Sequence, residues 1–150
     1  MRYTIILGLL LSSLITFGQL EEKDGKFYGP DNNLFSGTIT QNYDNGNIKA
    51  SLSFKDGLKH GEMMYYYEDG TKKELRSYNM NEKDGEWIRW NPKGKKVAIA
   101  NFKNGKKDGK WIIADENGNT VYQMFYKDGE KSGTWLKFDK DGNVIDEKKY

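Results

Sequence analysis

The sequence predicts an all-β chain, one elongated antiparallel meander sheet of five tandem 24-residue β-hairpin repeats after an N-terminal signal peptide helix. Three observations predict it. Glycines recur every 24 residues, at 37, 61, 85, 109 and 133. A second glycine column stands at 46, 70, 94, 118 and 142. Aromatic residues keep the same register, with Phe54, Tyr78, Phe102, Tyr126 and Tyr150 in one column and Trp87, Trp111 and Trp135 in another. Self-similarity at a fixed period of about 20–50 residues is the signature of a stacked repeat array.

The elements follow in chain order. Residues 1–18 read as a secretory signal peptide. Met1-Arg2 supplies a positive charge, residues 5–17 are mostly apolar, and Thr16-Phe17-Gly18 places small residues before a cut at Gln19. The apolar run is short against the roughly 20 residues of a membrane-spanning helix. An uncleaved anchor and a buried hydrophobic strand are the competing readings. No Cys follows the run, so a bacterial lipoprotein anchor is excluded.

Residues 19–36 form a lead-in with one short strand, Lys26-Phe27-Tyr28, followed by the turn cluster Gly29-Pro30-Asp31-Asn32-Asn33. Its first residues, 19–23, are polar and read as loose. The five repeats then occupy 37–60, 61–84, 85–108, 109–132 and 133–150.

Each repeat reads as two strands and two turns. The first turn is Asn45-Gly46, Asp69-Gly70, Lys93-Gly94, Asn117-Gly118 or Asp141-Gly142. Such pairs suit type I′ hairpins, where both central residues take positive φ. The second turn is Asp56-Gly57, Asn104-Gly105 or Asp128-Gly129, with Asn81 where the glycine would stand in the second unit. Asn is the residue that best tolerates positive φ after Gly. A lone hairpin is marginal in water, so side-by-side stacking is what makes the array stable. Strict alternation places Trp87 and Trp90 on opposite faces, and likewise Trp135 and Phe138. Both faces therefore carry aromatics. Either the sheet curls, or a bulge shifts the alternation, or one face stays open to a partner.

Composition narrows the chemistry. Apolar residues are 36%, aromatics 14% and charged residues 31%, so the chain is aromatic enough to fold but thin in aliphatic core. Cys is absent, which removes disulfides, thiolate metal sites and cysteine nucleophiles. One His excludes a multi-histidine metal site. A net charge of +2 argues against a nucleic-acid binder. No cofactor site is read.

Residue type and spacing separate the individual candidates. His60 precedes a repeat glycine where Asp84 and Asp108 stand in later units, and reads as an exposed turn residue. Asp139-Lys140-Asp141-Gly142-Asn143 has the look of a calcium loop, but Lys137 and Lys148 stand where an EF-hand needs acids. Glu62 and Glu86 share a column, without further sign of an acid–base pair, and the chain reads as non-enzymatic. Lys59, Lys83, Lys107 and Lys131 form a ladder spaced by 24, with Lys55, Lys103 and Lys127 in a second column. The ladder is either a ridge for polyanions or a soluble, protected edge. Trp87, Trp111 and Trp135 are either a binding platform or sheet core.

The segments Gly61-Glu62-Met63-Met64-Tyr65-Tyr66-Tyr67-Glu68-Asp69-Gly70, Tyr43-Asp44-Asn45-Gly46-Asn47-Ile48-Lys49 and Asp56-Gly57-Leu58-Lys59-His60-Gly61 resemble MORN-type repeats. They are most similar to the bacterial variant whose members carry an antitoxin label from toxin–antitoxin systems. The resemblance implies a hairpin meander, protein–protein scaffolding and, for some members, membrane association. The period of 24 and the lack of a second Gly two residues after the first depart from that pattern. The combined expectation is an exported protein, periplasmic, cell-surface or extracellular, acting as a protein–protein interaction module or scaffold. The partner-binding residues would be Trp87, Trp111, Trp135, Lys59, Lys83, Lys107 and Lys131. The alternatives are an antitoxin or immunity-type protein, or a binder of anionic lipid or glycan along the lysines. No nucleic-acid partner is expected.

Overall fold

The computed structural model describes residues 20–150; the signal-peptide reading of 1–18 lies outside them. The repeats form one antiparallel sheet. Its strands are β3 (Gly37–Asn42), β4 (Ile48–Lys55), β5 (Leu58–Lys59), β6 (Gly61–Tyr66), β7 (Lys72–Asn79), β8 (Glu82–Lys83), β9 (Gly85–Trp90) and β10 (Lys96–Lys103). They continue as β11 (Lys106–Lys107), β12 (Gly109–Ala114), β13 (Thr120–Lys127), β14 (Glu130–Phe138) and β15 (Val144–Lys149). The longer strands follow one another in chain order from β3 at one edge to β15 at the other, and the two-residue β5, β8 and β11 pair with β4, β7 and β10. The predicted meander is therefore the observed one.

The type I′ turns fall in the other column from the one the sequence reading assigned them to. In the Asn45-Gly46 column only the glycine is left-handed, with Gly46 at φ 86°. The Gly46 N–H donates to the Tyr43 carbonyl and the Tyr43 N–H to the Asn47 carbonyl. That is a three-residue loop, a type I turn closed by an αL glycine. The type I′ turns sit at the other end of the hairpins, as in Asp56 (φ 49°) followed by Gly57 (φ 75°). Asn81 takes φ 73° in the same column, as its residue type led one to expect.

Both ends of the strands are tied from unit to unit. At the type I′ end, Gly57 donates to Phe35, Asn81 to Lys59, Gly105 to Lys83 and Gly129 to Lys107, all backbone to backbone. At the other end, the Tyr43 hydroxyl donates to the Tyr66 carbonyl and the Tyr67 hydroxyl to the Trp90 carbonyl. Further on, the same column holds Asn91, Asp115 and Asp139, whose Oδ1 atoms accept backbone N–H groups of their own loops. The Asp139 loop is thus a hydrogen-bonded turn, as its Asp-Gly pair led one to expect.

These bonds make a pH prediction. The backbone N–H of Asn119 holds the Asp115 carboxyl below its ordinary pKa, and that of Asn143 does the same for Asp139. A depressed carboxylate contributes stability above its unfolded pKa, near 4, that is lost as pH falls through the folded value. Asn91 makes equivalent bonds without a titrating group. The double variant Asp115→Asn, Asp139→Asn is expected to melt like the parent at pH 7 and to lose less of its melting temperature between pH 5 and pH 2.5. An unchanged acid loss would count against these bonds.

The lead-in is more ordered than its sequence suggested. It holds two strands, β1 (Glu21–Lys23) and β2 (Lys26–Tyr28), paired as a hairpin. The polar run at 21–23 is a strand because β2 supplies its hydrogen bonds, not because it buries apolar surface. The hairpin is pinned across the first two type I′ turns. The Phe27 N–H donates to the Gly57 carbonyl, and Asn81 Nδ2 donates to the Gly25 carbonyl. Phe27 and Phe35 pack on Phe54, with ring centroids 4.7 and 5.9 Å away. Together with Ile39, Ala50, Leu52 and Met63 they form the larger core. The lead-in therefore caps the first two units, the role terminal segments play in repeat arrays.

Candidate functional site

Register divides the side chains of the sheet between two faces. Tyr78 lies opposite Gly61 on one neighbour and Lys83 on the other. Phe102 likewise lies opposite Gly85 and Lys107, and Tyr126 opposite Gly109 and Lys131. The glycine opposite each ring takes positive φ, and a Cβ there would meet Ser53, Ser77 or Asn101 rather than the ring. Phe102 and Tyr126 each sit midway between two tryptophans, at 5.3 Å and 5.2 Å from both neighbours.

The result is an unbroken ladder of rings on one face. Tyr78, Trp87, Phe102, Trp111, Tyr126, Trp135 and Tyr150 follow one another with centroids 4.8–5.3 Å apart. All are tilted or edge-on, the arrangement favoured by the ring quadrupole, and each such pair is worth about 0.5–1.5 kcal/mol. Each indole Nε1 donates to a backbone carbonyl: Trp87 to Ser77, Trp111 to Asn101, Trp135 to Phe125.

The lysine ladder lies on the rings. Lys83 Nζ is 4.6 Å from the Trp87 centroid and 4.9 Å from that of Phe102. Lys107 Nζ is 4.6 Å from both Trp111 and Tyr126. Lys131 Nζ is 4.8 Å from Trp135 and 4.9 Å from Tyr150. Lys59 reaches only Tyr78, at 5.7 Å, because Met63 stands where later units have Trp. Each ammonium at ring distance contributes about 0.5–1 kcal/mol at an exposed site. The two candidate sets, read separately from sequence, are thus one composite surface. The tryptophans are half-buried: they hold the sheet together and keep part of their surface exposed.

Both faces carry more cations than acids, and the ladder face does so by the larger margin. In register with the ring ladder stand its four lysines, plus Arg76, Arg89, Lys137 and Lys148, against Glu74 and Asp146. The opposite face carries Lys55, Lys72, Lys96, Lys103, Lys106, Lys110, Lys127 and Lys149 against Glu62, Glu82, Glu86, Glu130 and Glu147. Alternation within each unit was the signal that could have found this, since Arg76 and Arg89 share parity with the ladder through the cross-strand pairs.

The ladder face is covered by the lead-in over the first two units. Further along, the described residues leave it open: Ile113 is 38% exposed and Tyr122 39%. The opposite face has its own small core of Leu75, Ile88 and Trp90, backed by Met64 and Ile99. Trp87 and Trp90 thus do lie on opposite faces. Glu62 and Glu86 are exposed strand residues on the opposite face.

His60 differs from its reading as an exposed turn residue. It is partly buried, and its Nδ1 is shut off from water without a hydrogen-bond partner among the described residues. The equivalent Asp84 and Asp108 carboxylates instead accept the backbone N–H of Asn104 and Asp128. Asp108 also pairs with Lys127, at 3.0 Å. No cluster of metal-ligating side chains occurs among the described residues.

Four successive segments, 35–56, 59–80, 83–104 and 107–128, match the family model described as the MORN repeat variant. The chain belongs to that family. The MORN segments open at Phe35, Lys59, Lys83 and Lys107, so each begins on the residue that covers the next ring of the ladder. In the first unit that residue is Phe35, which packs on Phe54 where later units place an ammonium. A comparison with curated proteins finds no match. MORN repeats make this a repeat protein of interaction, with other proteins or with membrane lipids.

Proposed function

We propose that this MORN-repeat chain is an exported, non-enzymatic interaction module whose ladder face docks an acidic protein partner. The observation that carries the reading is the sidedness of the sheet: the aromatic ladder and the larger surplus of cations share one face, and the lead-in leaves that face uncovered from the third unit onward. Rings give contact area, and the cations steer and select an acidic surface. Export rests on the apolar segment at residues 5–17.

The test is capture from native envelope and secreted extract with three baits. They are the parent chain, a variant with Lys59, Lys83, Lys107 and Lys131 changed to Gln, and a control with Lys110 and Lys149 changed to Gln. The expected result is one acidic protein held by parent and control and lost by the ladder variant. Salt should weaken the complex without abolishing it, since ring contacts are not screened. Equal retention by all three baits would contradict the reading. Retention of anionic lipid or glycan alone, released by salt, would replace it with an envelope-ligand binder. A toxin-like protein as the captured partner would make the chain an antitoxin or immunity-type protein.

A further inference from the structure

Two columns of the ladder face vary from unit to unit, reading Ala50, Glu74, Ala98, Tyr122, Asp146 and Leu52, Arg76, Ala100, Met124, Lys148. Only the third unit of these has alanine in both. The missing side chains leave a hollow of about 260 Å³ at the middle of the sheet. Ala98 and Ala100 form its floor, and Glu74, Arg76, Trp87 and Arg89 stand around it.

The charge around the hollow is unlike that of the rest of the sheet. Beyond residue 2, arginine occurs only at positions 76 and 89, and every other basic side chain except His60 is lysine. Both arginines are at this hollow. Arg76 is fixed: its guanidinium lies 4.7 Å from the Tyr65 ring centroid and bonds through Nε and Nη2 to the Glu74 carboxylate. Arg89 is exposed and makes no side-chain hydrogen bond or ion pair among the described residues, although its backbone is in register with Glu74 and Ala98. Two guanidinium groups thus face one carboxylate, with one positive charge left over.

We infer that the hollow is a subsite for a single carboxylate, the side chain of a Glu or Asp on an acidic peptide segment. Arg89 presents the planar fork that a carboxylate accepts in a bidentate manner. The alanine floor and the edge of Trp87 take the methylene stem. A single carboxylate pairs with the Arg89 guanidinium, and a dianionic phosphate would meet stronger repulsion from Glu74 than a carboxylate does. Sugar stacking is disfavoured because the Trp87 faces are already occupied by Lys83, at 4.6 Å, and Arg76, at 5.7 Å. This subsite rests on the proposal that the ladder face docks an acidic protein, and locates where one of its acids sits.

The test uses octaglutamate as probe and the ¹⁵N-labelled chain, read by NMR at the arginine Nε–H and backbone signals. The expected result is a saturable shift of the Arg89 Nε–H signal. Affinity should fall about tenfold in Arg89→Lys, which keeps the charge and loses the fork. Lys137→Gln, which removes a charge on the same face away from the hollow, should cost less. Ala98→Leu, which fills the hollow, should abolish the Arg89 shift while leaving the amide spectrum folded. Arg89→Lys binding like the parent, or inorganic phosphate moving the Arg89 signal at lower concentration than octaglutamate, would overturn the subsite. Shifts at Lys83, Lys107 and Lys131 without any at Arg89 would overturn it while leaving the docking face standing. No shift at either would count against both.

Discussion

Trp111→Ala is expected to destabilise the protein by about 3 kcal/mol, at the low end of the range for Trp→Ala because the ring is only half-buried. The indole bridges Phe102 and Tyr126, with centroids 5.3 and 5.2 Å away, and its Nε1 donates to the Asn101 carbonyl at 3.0 Å. Lys107 rests on it as well. Removing the indole cuts the ladder between Phe102 of the third unit and Tyr126 of the fourth, and none of the described residues forms a layer over this part of the face. The effect should also be local. In a stacked array each unit contacts only its neighbours, so units far from the lesion keep their own stability. Hydrogen exchange should show faster opening of β12–β15 while β3–β6 stay protected. A loss below about 1 kcal/mol, or uniform loosening of all units, would mean that the ladder is not what joins the units.

The second large effect is expected at Gly57, and a glycine two repeats away supplies its control. Gly57 and Gly105 take nearly the same backbone conformation, φ 75° and 76°. A Cβ at Gly105 would meet nothing within 4 Å, whereas one at Gly57 would lie 2.8 Å from Leu34 Cδ2 and 2.9 Å from the Phe27 carbonyl oxygen. Gly105→Ala should therefore cost only the left-handed strain, about 1–2 kcal/mol. Gly57→Ala carries that strain and also overpacks a site made partly of backbone, adding about 1–3 kcal/mol. The extra loss should appear as detachment of the lead-in. The Phe27 and Asn81 bonds that pin the β1–β2 hairpin would open, and Phe54 would become accessible. Equal melting temperatures for the two variants would show that the lead-in does not press on the turn.

These two sites show how far the sequence could be read. The Trp111 column was legible because its period is fixed and its residue type is rare. So were the strands, since a 24-residue period with two glycine turns leaves room for two arms and little else. The turn types were not. Asn45-Gly46 and Asp56-Gly57 look alike in sequence, and what separates them is loop length, three residues against two, which the cross-strand register determines. Glu21–Lys23 carried no apolar pattern, so only its hydrogen bonds to β2 reveal it as a strand. The lysine ladder was visible as a column, but its place on the rings depends on the strand being paired so that Lys83 and Trp87 share a face. Arg89 was missed for a different reason. It belongs to no column, and its interest comes from the small side chains of Ala98 and Ala100 beside it, in two columns that vary from unit to unit.

The claim that the ladder face is where this MORN-repeat protein meets its partner is tested most directly by lysine footprinting. The chain would be acetylated in the presence and absence of its native extract, and modification read by mass spectrometry at each lysine. The account predicts protection of Lys83, Lys107 and Lys131, with Lys110 and Lys149 on the opposite face modified as fast as in buffer. Protection of Lys110 and Lys149 instead, with the ladder lysines unchanged, would contradict it.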